Sequence, residues 1–129
     1  MTITADSPAP AAPTDDAPLA LSAGAWHSVC NLADLEPNWG EAALIGGRQI
    51  AVFRLATDEV FAVEQRDPAT EAHVMARGIV GSRGERRTIA SPLHKQVYDL
   101  ATGERLDGPG TSIAAFPTRV VNGIVEIAA

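Results

Sequence analysis

A chain of 129 residues has room for one domain and not for two. Its 46% hydrophobic and 20% charged residues are those of an ordinary globular protein, which excludes disorder throughout. The formal charge of −6 excludes a general affinity for nucleic acid, because binding phosphate depends on Lys and Arg to neutralise it.

Residues 1–24 are almost wholly Ala, Pro, Thr, Ser, Asp and Gly, without a basic or aromatic side chain. Such a segment buries too little apolar surface to offset the entropy of ordering, which predicts a disordered tail over 1–24 and a domain over 25–129. The first Lys or Arg is Arg48, so the basic start of a secretory signal or a transit peptide is missing. Apolar runs such as 42–45 and 50–53 fall far short of the roughly 20 residues that span a bilayer. A cytoplasmic protein without membrane contact is expected. Cys30, the single cysteine, has no partner for an internal disulfide and suits a reducing compartment. It also rules out a cluster held by several thiolates of this chain.

From Trp26 onward the punctuation is that of many short strands. Asn31 is placed to cap a single turn over 32–35, which Pro37 would end. Gly46-Gly47 joins 41–45 to 48–55 as a hairpin, since a two-residue loop demands positive φ and glycine adopts it freely. Thr57-Asp58 and Thr102-Gly103 mark further turns between runs rich in Val, Ile, Ala and Phe. At the end of the chain, Asn122-Gly123 predicts a hairpin pairing Val121 with Ile124, Val120 with Val125, and Arg119 with Glu126. Thr118, Val120, Val125 and Ile127 would then share the inner face, and Arg119 opposite Glu126 would support the register. Eight or nine strands without a long helix predict an all-β fold, a small antiparallel β-sandwich or barrel.

The most informative stretch is Ser91-Pro92-Leu93-His94-Lys95-Gln96-Val97-Tyr98-Asp99-Leu100-Ala101-Thr102-Gly103. It resembles the second cluster-binding loop of Rieske proteins, Cys-Pro-x-His-Gly followed by an aromatic strand, Asp and a Thr-Gly turn. Ser91 stands at the cysteine and Lys95 at the glycine. The first Rieske loop, Cys-x-His, falls some 20 residues upstream, after a strand like 60–63, and there the chain has Asp67-Pro68-Ala69. A Rieske centre takes two thiolates on one iron and two imidazoles on the other. Of the four positions Asp67, Ala69, Ser91 and His94, only His94 keeps its ligand type. A hydroxyl and a carboxylate are poor substitutes for thiolate in soft iron–sulfur chemistry. The resemblance therefore implies a Rieske-like fold without a cluster.

This pattern is similar to one family in particular, the small subunits of assimilatory NAD(P)H-dependent nitrite reductase. The likeness covers about residues 26–128. It rests on Trp26-x-x-Val29-Cys30, Leu35-x-Pro37-Asn38-x-Gly40, Gly47-x-Gln49-Ile50-Ala51-Val52-Phe53-Arg54-Leu55, Asp67-Pro68, Ala76-Arg77-Gly78-Ile79-Val80-Gly81 and Ser91-Pro92-Leu93-His94-Lys95-Gln96. Ala69 departs from the aromatic that many relatives place after Asp-Pro. The resemblance implies a non-catalytic subunit, without a cofactor of its own, that stabilises or regulates a large subunit. That partner would carry FAD, an iron–sulfur cluster and sirohaem and reduce nitrite to ammonium. Two alternatives are a ferredoxin-like carrier for another redox complex, against which the ligand count speaks, and a free-standing binding module.

Other constellations read as structure. His94 is expected to be a hydrogen-bonding residue, and His73 a surface histidine. His27 and Cys30 would face opposite sides of a strand, since their spacing is odd, and with His73 and His94 they lack zinc spacing. Ser91 lacks the donor set of a nucleophile's oxyanion site. Gly78, Gly81 and Gly84 are not followed by a helix and read as turns, not as a dinucleotide loop. One charge feature stands against the acidic background: Arg77, Arg83, Arg86, Arg87 and Lys95 fall within 19 residues whose only acid is Glu85, a local net charge of +4. This lobe is either a solvated face or a docking surface for the large subunit.

Overall fold

The computed structural model describes residues 2–5 and 25–129. Residue 1 and residues 6–24 lie outside them, so the tail expected over 1–24 is described only at Thr2–Ala5. Here the chain departs from that expectation, because Thr2–Ala5 forms a strand, β1. Two β-branched threonines flank Ile3, which packs on the core, and that alternation suffices for a short strand beside an available edge.

Eleven strands are present among the described residues, more than the eight or nine expected, with two single 3-10 turns as the helical content. After β2 (Trp26–Asn31) comes the first of these turns, Leu32–Asp34. Asn31 precedes it without capping it: its side-chain amide donates to Asp34 Oδ2 at 3.4 Å, and the turn is closed by the Leu35 N–H on the Leu32 carbonyl. The strands β3 (Trp39–Ile45) and β4 (Arg48–Arg54) form the expected hairpin, with Ile45 opposite Arg48 and Gly46 and Gly47 at φ 57° and 81°. Both values lie in the left-handed region that a two-residue loop of this kind requires.

The sheet built on this hairpin runs in the order β1-β3-β4-β5-β9, where β5 is Val60–Glu64 and β9 is Ala115–Phe116. β1 lies parallel on β3, and every other pairing among the described strands is antiparallel. A second sheet joins β10 (Thr118–Val121), β11 (Ile124–Ala128) and β2. A third joins β6 (Ile79–Arg83), β7 (Arg86–Ala90) and β8 (Val97–Asp99).

Strand β4 explains how three sheets share one interior. Its run Ile50-Ala51-Val52-Phe53 is buried on both faces, as a near-continuous apolar strand must be. Ile50 and Val52 meet Val125 and Ile127 of the second sheet, whereas Ala51 and Phe53 meet Ile89 and Tyr98 of the third. The five-stranded sheet is thus the middle layer. Each fully buried aliphatic or aromatic side chain contributes about 1.5–3 kcal/mol, so β4 anchors both halves.

The C-terminal hairpin adopts the expected register, residue for residue. Its faces need correction at one position. Val125 and Ile127 are buried, but Val120 is 41% exposed because β10 is an edge strand that overhangs the core. The Arg119–Glu126 pair is more than a register aid. Arg119 Nε donates to Glu126 Oε1 at 2.5 Å, and its guanidinium lies 3.9 Å over the Trp26 ring.

Candidate functional site

Two loops at one end of the third sheet carry the positions singled out above. The first follows β5 and is pinned by Gln65. The Gln65 carbonyl accepts the N–H groups of Val74 and Met75, both at 3.0 Å, and its side-chain Oε1 accepts that of Ala76 at 2.7 Å. Within the loop, Asp67 donates its N–H to the Ala72 carbonyl at 2.8 Å and its carbonyl accepts the Glu71 N–H at 2.6 Å. The second loop links β7 to β8. It closes through Ser91 N–H on the Gln96 carbonyl at 2.9 Å and Lys95 N–H on the Ser91 carbonyl at 3.0 Å. Lys95 takes φ 61° at the position where the Rieske pattern has glycine, so the left-handed backbone persists although the residue has changed.

The loops are joined by a buried carboxylate. Ser91 Oγ donates to Asp67 Oδ2 at 2.5 Å, Gln96 Nε2 donates to Asp67 Oδ1 at 2.7 Å, and the Ala69 N–H donates to the same oxygen at 2.8 Å. Asp67 and Ser91 are both 0% exposed, and Gln96 is buried with them. Three donors on one carboxylate satisfy a charge that would otherwise be costly in a dry interior. Below them lies Tyr98, whose phenol is raised above its ordinary pKa chiefly by burial. The Tyr98 hydroxyl and Gln96 Oε1 are buried without a hydrogen-bond partner among the described residues. Sequence reasoning found Asp67 and Ser91 but passed over Gln96, a quoted motif residue without an evident chemical role until the fold brings it onto Asp67.

These residues do not fit a two-iron cluster. The four Rieske positions present a carboxylate, a methyl group, a hydroxyl and one imidazole. The carboxylate and hydroxyl are spent on each other, while Ala69 and His94 are exposed. Nor is Ser91 placed as a nucleophile, since its proton is committed to Asp67 and its Oγ, out of reach of solvent, also accepts the Leu93 N–H at 3.3 Å.

Among the described residues no group of three or more His, Cys, Asp or Glu side chains is gathered as a metal site. His27 and Cys30 do differ from expectation in one respect. A β-bulge between Ser28 and Cys30 sets His27 opposite Ile127 and Cys30 opposite Val125, so the two share the inner side of β2 despite their odd spacing. Cys30 is half-buried there, and burial first, then Asp34 and Glu41, push its thiol up to about 11.

The basic lobe is not one patch. Arg83 and Arg86 face each other across the β6–β7 hairpin, and Arg87, next along β7, points to the other face. Arg86 pairs with Glu104 at 3.0 Å and Asp99 at 3.4 Å, and Arg87 pairs with Glu59 at 3.2 Å. Among the described residues Arg83 reaches the Leu106 carbonyl alone, at 3.4 Å. Lys95 sits on the second loop, exposed. Arg77 stands elsewhere, on the 3-10 turn Met75–Arg77, where it lines a cleft of about 620 Å³ with Trp39, Gln49, Gln65, His73 and Ala76. The sequence offers no local sign of this cleft, since β3 and the turn that form its walls lie more than 30 residues apart.

Comparison with known proteins follows the same lines. The family described as "Rieske-like [2Fe-2S] domain" matches residues 25–128. The chain is 36% identical over 103 residues to the nitrite reductase (NADH) small subunit of Salmonella typhimurium, covering 79% of this chain and 95% of that one. It is 38% identical over 108 residues to a nitrite reductase NAD(P)H large subunit of Klebsiella oxytoca, which covers 84% of this chain and spans only 11% of that protein. The solution NMR structure of the nitrite reductase NAD(P)H small subunit from Erwinia carotovora is similar with a TM-score of 0.70, at 42% identity and 81% coverage of both chains.

Proposed function

Because the chain belongs to the Rieske-like [2Fe-2S] domain family, within its nitrite reductase small subunits, we propose that it acts as the small subunit of an NAD(P)H-dependent nitrite reductase. The observation that carries this reading is the match to nearly the whole length of a small subunit. The likeness to a stretch within a large-subunit chain supports a lasting association of the two parts, since one relative holds such a domain covalently. The large subunit, bearing FAD, an iron–sulfur cluster and sirohaem, performs the reduction of nitrite to ammonium in the cytoplasm. This chain binds no cluster and relays no electrons. Its two loops are held by the Asp67 carboxylate in place of iron, and it stabilises or regulates the large subunit. Of the basic lobe, Arg86 and Arg87 are already paired with acids of this chain, and Arg77, Arg83 and Lys95 have no ion pair among the described residues.

The test is reconstitution of purified large subunit with this chain, following co-elution by size exclusion and NAD(P)H-dependent nitrite consumption. The expected result is a stable complex, no consumption by this chain alone, and a higher rate or longer-lived activity of the large subunit when it is present. Separate elution of the two, with unaltered activity, would contradict the reading.

A further inference from the structure

The cleft beside Trp39 is formed by an unusual approach of backbone to backbone. At Gly40 a Cβ would overlap the Ala76 carbonyl oxygen and the Phe53 ring, so only glycine lets the turn Met75–Arg77 lie directly on β3. That approach brings Trp39 and Arg77 into the lining of one cleft, with Gln49, Gln65 and Ala76. The walls are fixed before any partner arrives. Gln65 holds the turn through three backbone N–H groups, and β3 is paired along its length with β4.

What the cleft presents is unlike the rest of the surface. Trp39 is 60% exposed, and an indole left in water is a large apolar surface that nothing among the described residues covers. Six arginines of this chain are held in ion pairs: Arg54, Arg66, Arg86, Arg87, Arg105 and Arg119. Arg77 has none among the described residues, and the exposed His73 lines the same cleft. Glu41, on the β3 wall, is already engaged in an interaction of its own. An incoming carboxylate is therefore drawn to Arg77, while its apolar neighbour meets Trp39. Trp and Arg in a preformed recess are the residue types that carry most binding energy at protein interfaces.

We propose that the Trp39–Arg77 cleft is the docking site for the large subunit, which inserts a segment bearing a carboxylate beside an apolar side chain. This rests on the reading of the chain as that subunit's partner. It moves the interface away from the β6–β7 hairpin, whose charge is largely neutralised within the chain.

The experiment titrates full-length wild type, Trp39→Ala, Arg77→Glu and Arg83→Glu against purified large subunit at low and moderate ionic strength, with circular dichroism and melting temperature confirming the fold. Trp39→Ala and Arg77→Glu should each weaken binding by about tenfold or more, the sizes typical of central interface residues. Arg77→Glu should also flatten the salt dependence, Arg77→Lys should restore most of it, and Arg83→Glu should bind like wild type. If wild type binds and the Trp39 and Arg77 variants bind within about twofold of it, the cleft is not the docking site. If Arg83→Glu alone weakens binding, the hairpin is the interface and the proposal is wrong. If wild type does not bind at all, the partnership itself fails, and the docking site with it.

Discussion

At the scale of single residues, hydrogen bonds join positions at which Rieske proteins ligate iron. Asp67 and Ser91 occupy positions that in Rieske proteins bind one iron through two sulfurs, and here they meet directly, with Gln96 as a third member. Replacing Ser91 by Ala leaves one oxygen of a buried carboxylate without its donor, a loss of about 1–3 kcal/mol. Thermal unfolding checks this: for a domain of this size each kcal/mol shifts the melting temperature by about 4–8 °C, so a fall of at least that size is expected. An unchanged Tm would mean that the loops do not depend on this tether. A second residue has a chemical signature of its own. Cys30 has its thiol raised to about 11, so at pH 8 it carries roughly a hundredth of the thiolate of an ordinary cysteine. Alkylation by iodoacetamide should be slow at pH 8 and accelerate steadily toward pH 11, and full reaction at the rate of a free thiol would contradict the burial. The sign for stability follows. The neutral thiol is favoured in the fold, so its contribution is full below pH 9 and is lost as pH rises toward 11.

At the scale of elements, legibility depended on whether the signal was local. The Gly46-Gly47 and Asn122-Gly123 hairpins could be read because a two-residue loop with positive φ fixes the register of both strands by itself. The exposure of Val120 could not, since it depends on β10 lying at a sheet edge, a property of strand order. The inner placement of His27 depends on a bulge, which breaks the parity on which strand-face reasoning relies. β1 was hidden by composition: four residues with one Ile do not stand out in a segment otherwise poor in apolar side chains. Deleting residues 1–5 removes the parallel ladder on β3 and the contact of Ile3 with the core. A modest loss of about 1 kcal/mol is expected, seen as a fall of several degrees in Tm with the fold retained. Indistinguishable melting of the deletion and wild type would show that β1 adds nothing to the domain.

At the scale of the whole molecule, the middle sheet buries both its faces, and the loop after its strand β5 meets the β7–β8 loop of the third sheet where a Rieske protein would hold iron. Much of this was legible through motif order and spacing, because the turns, the Asp-Pro and the Ser-Pro-Leu-His segment keep their places even where the ligands are gone. The pairing of Arg86 and Arg87 was not legible, because a run of charge in sequence says nothing of the acids that the fold brings to it: Glu59 and Glu104 come from other parts of the chain. The Trp39 cleft was illegible for the complementary reason, since its walls become neighbours only when the turn Met75–Arg77 settles on Gly40. In the proposed reading the two loops are held by the Asp67 carboxylate and not by iron. The most direct measurement is the iron and acid-labile sulfide content of the protein purified under anaerobic conditions from iron-replete cells, together with its visible spectrum. A colourless protein without stoichiometric iron is expected. About two irons and two sulfides per chain, with visible absorption, would contradict it.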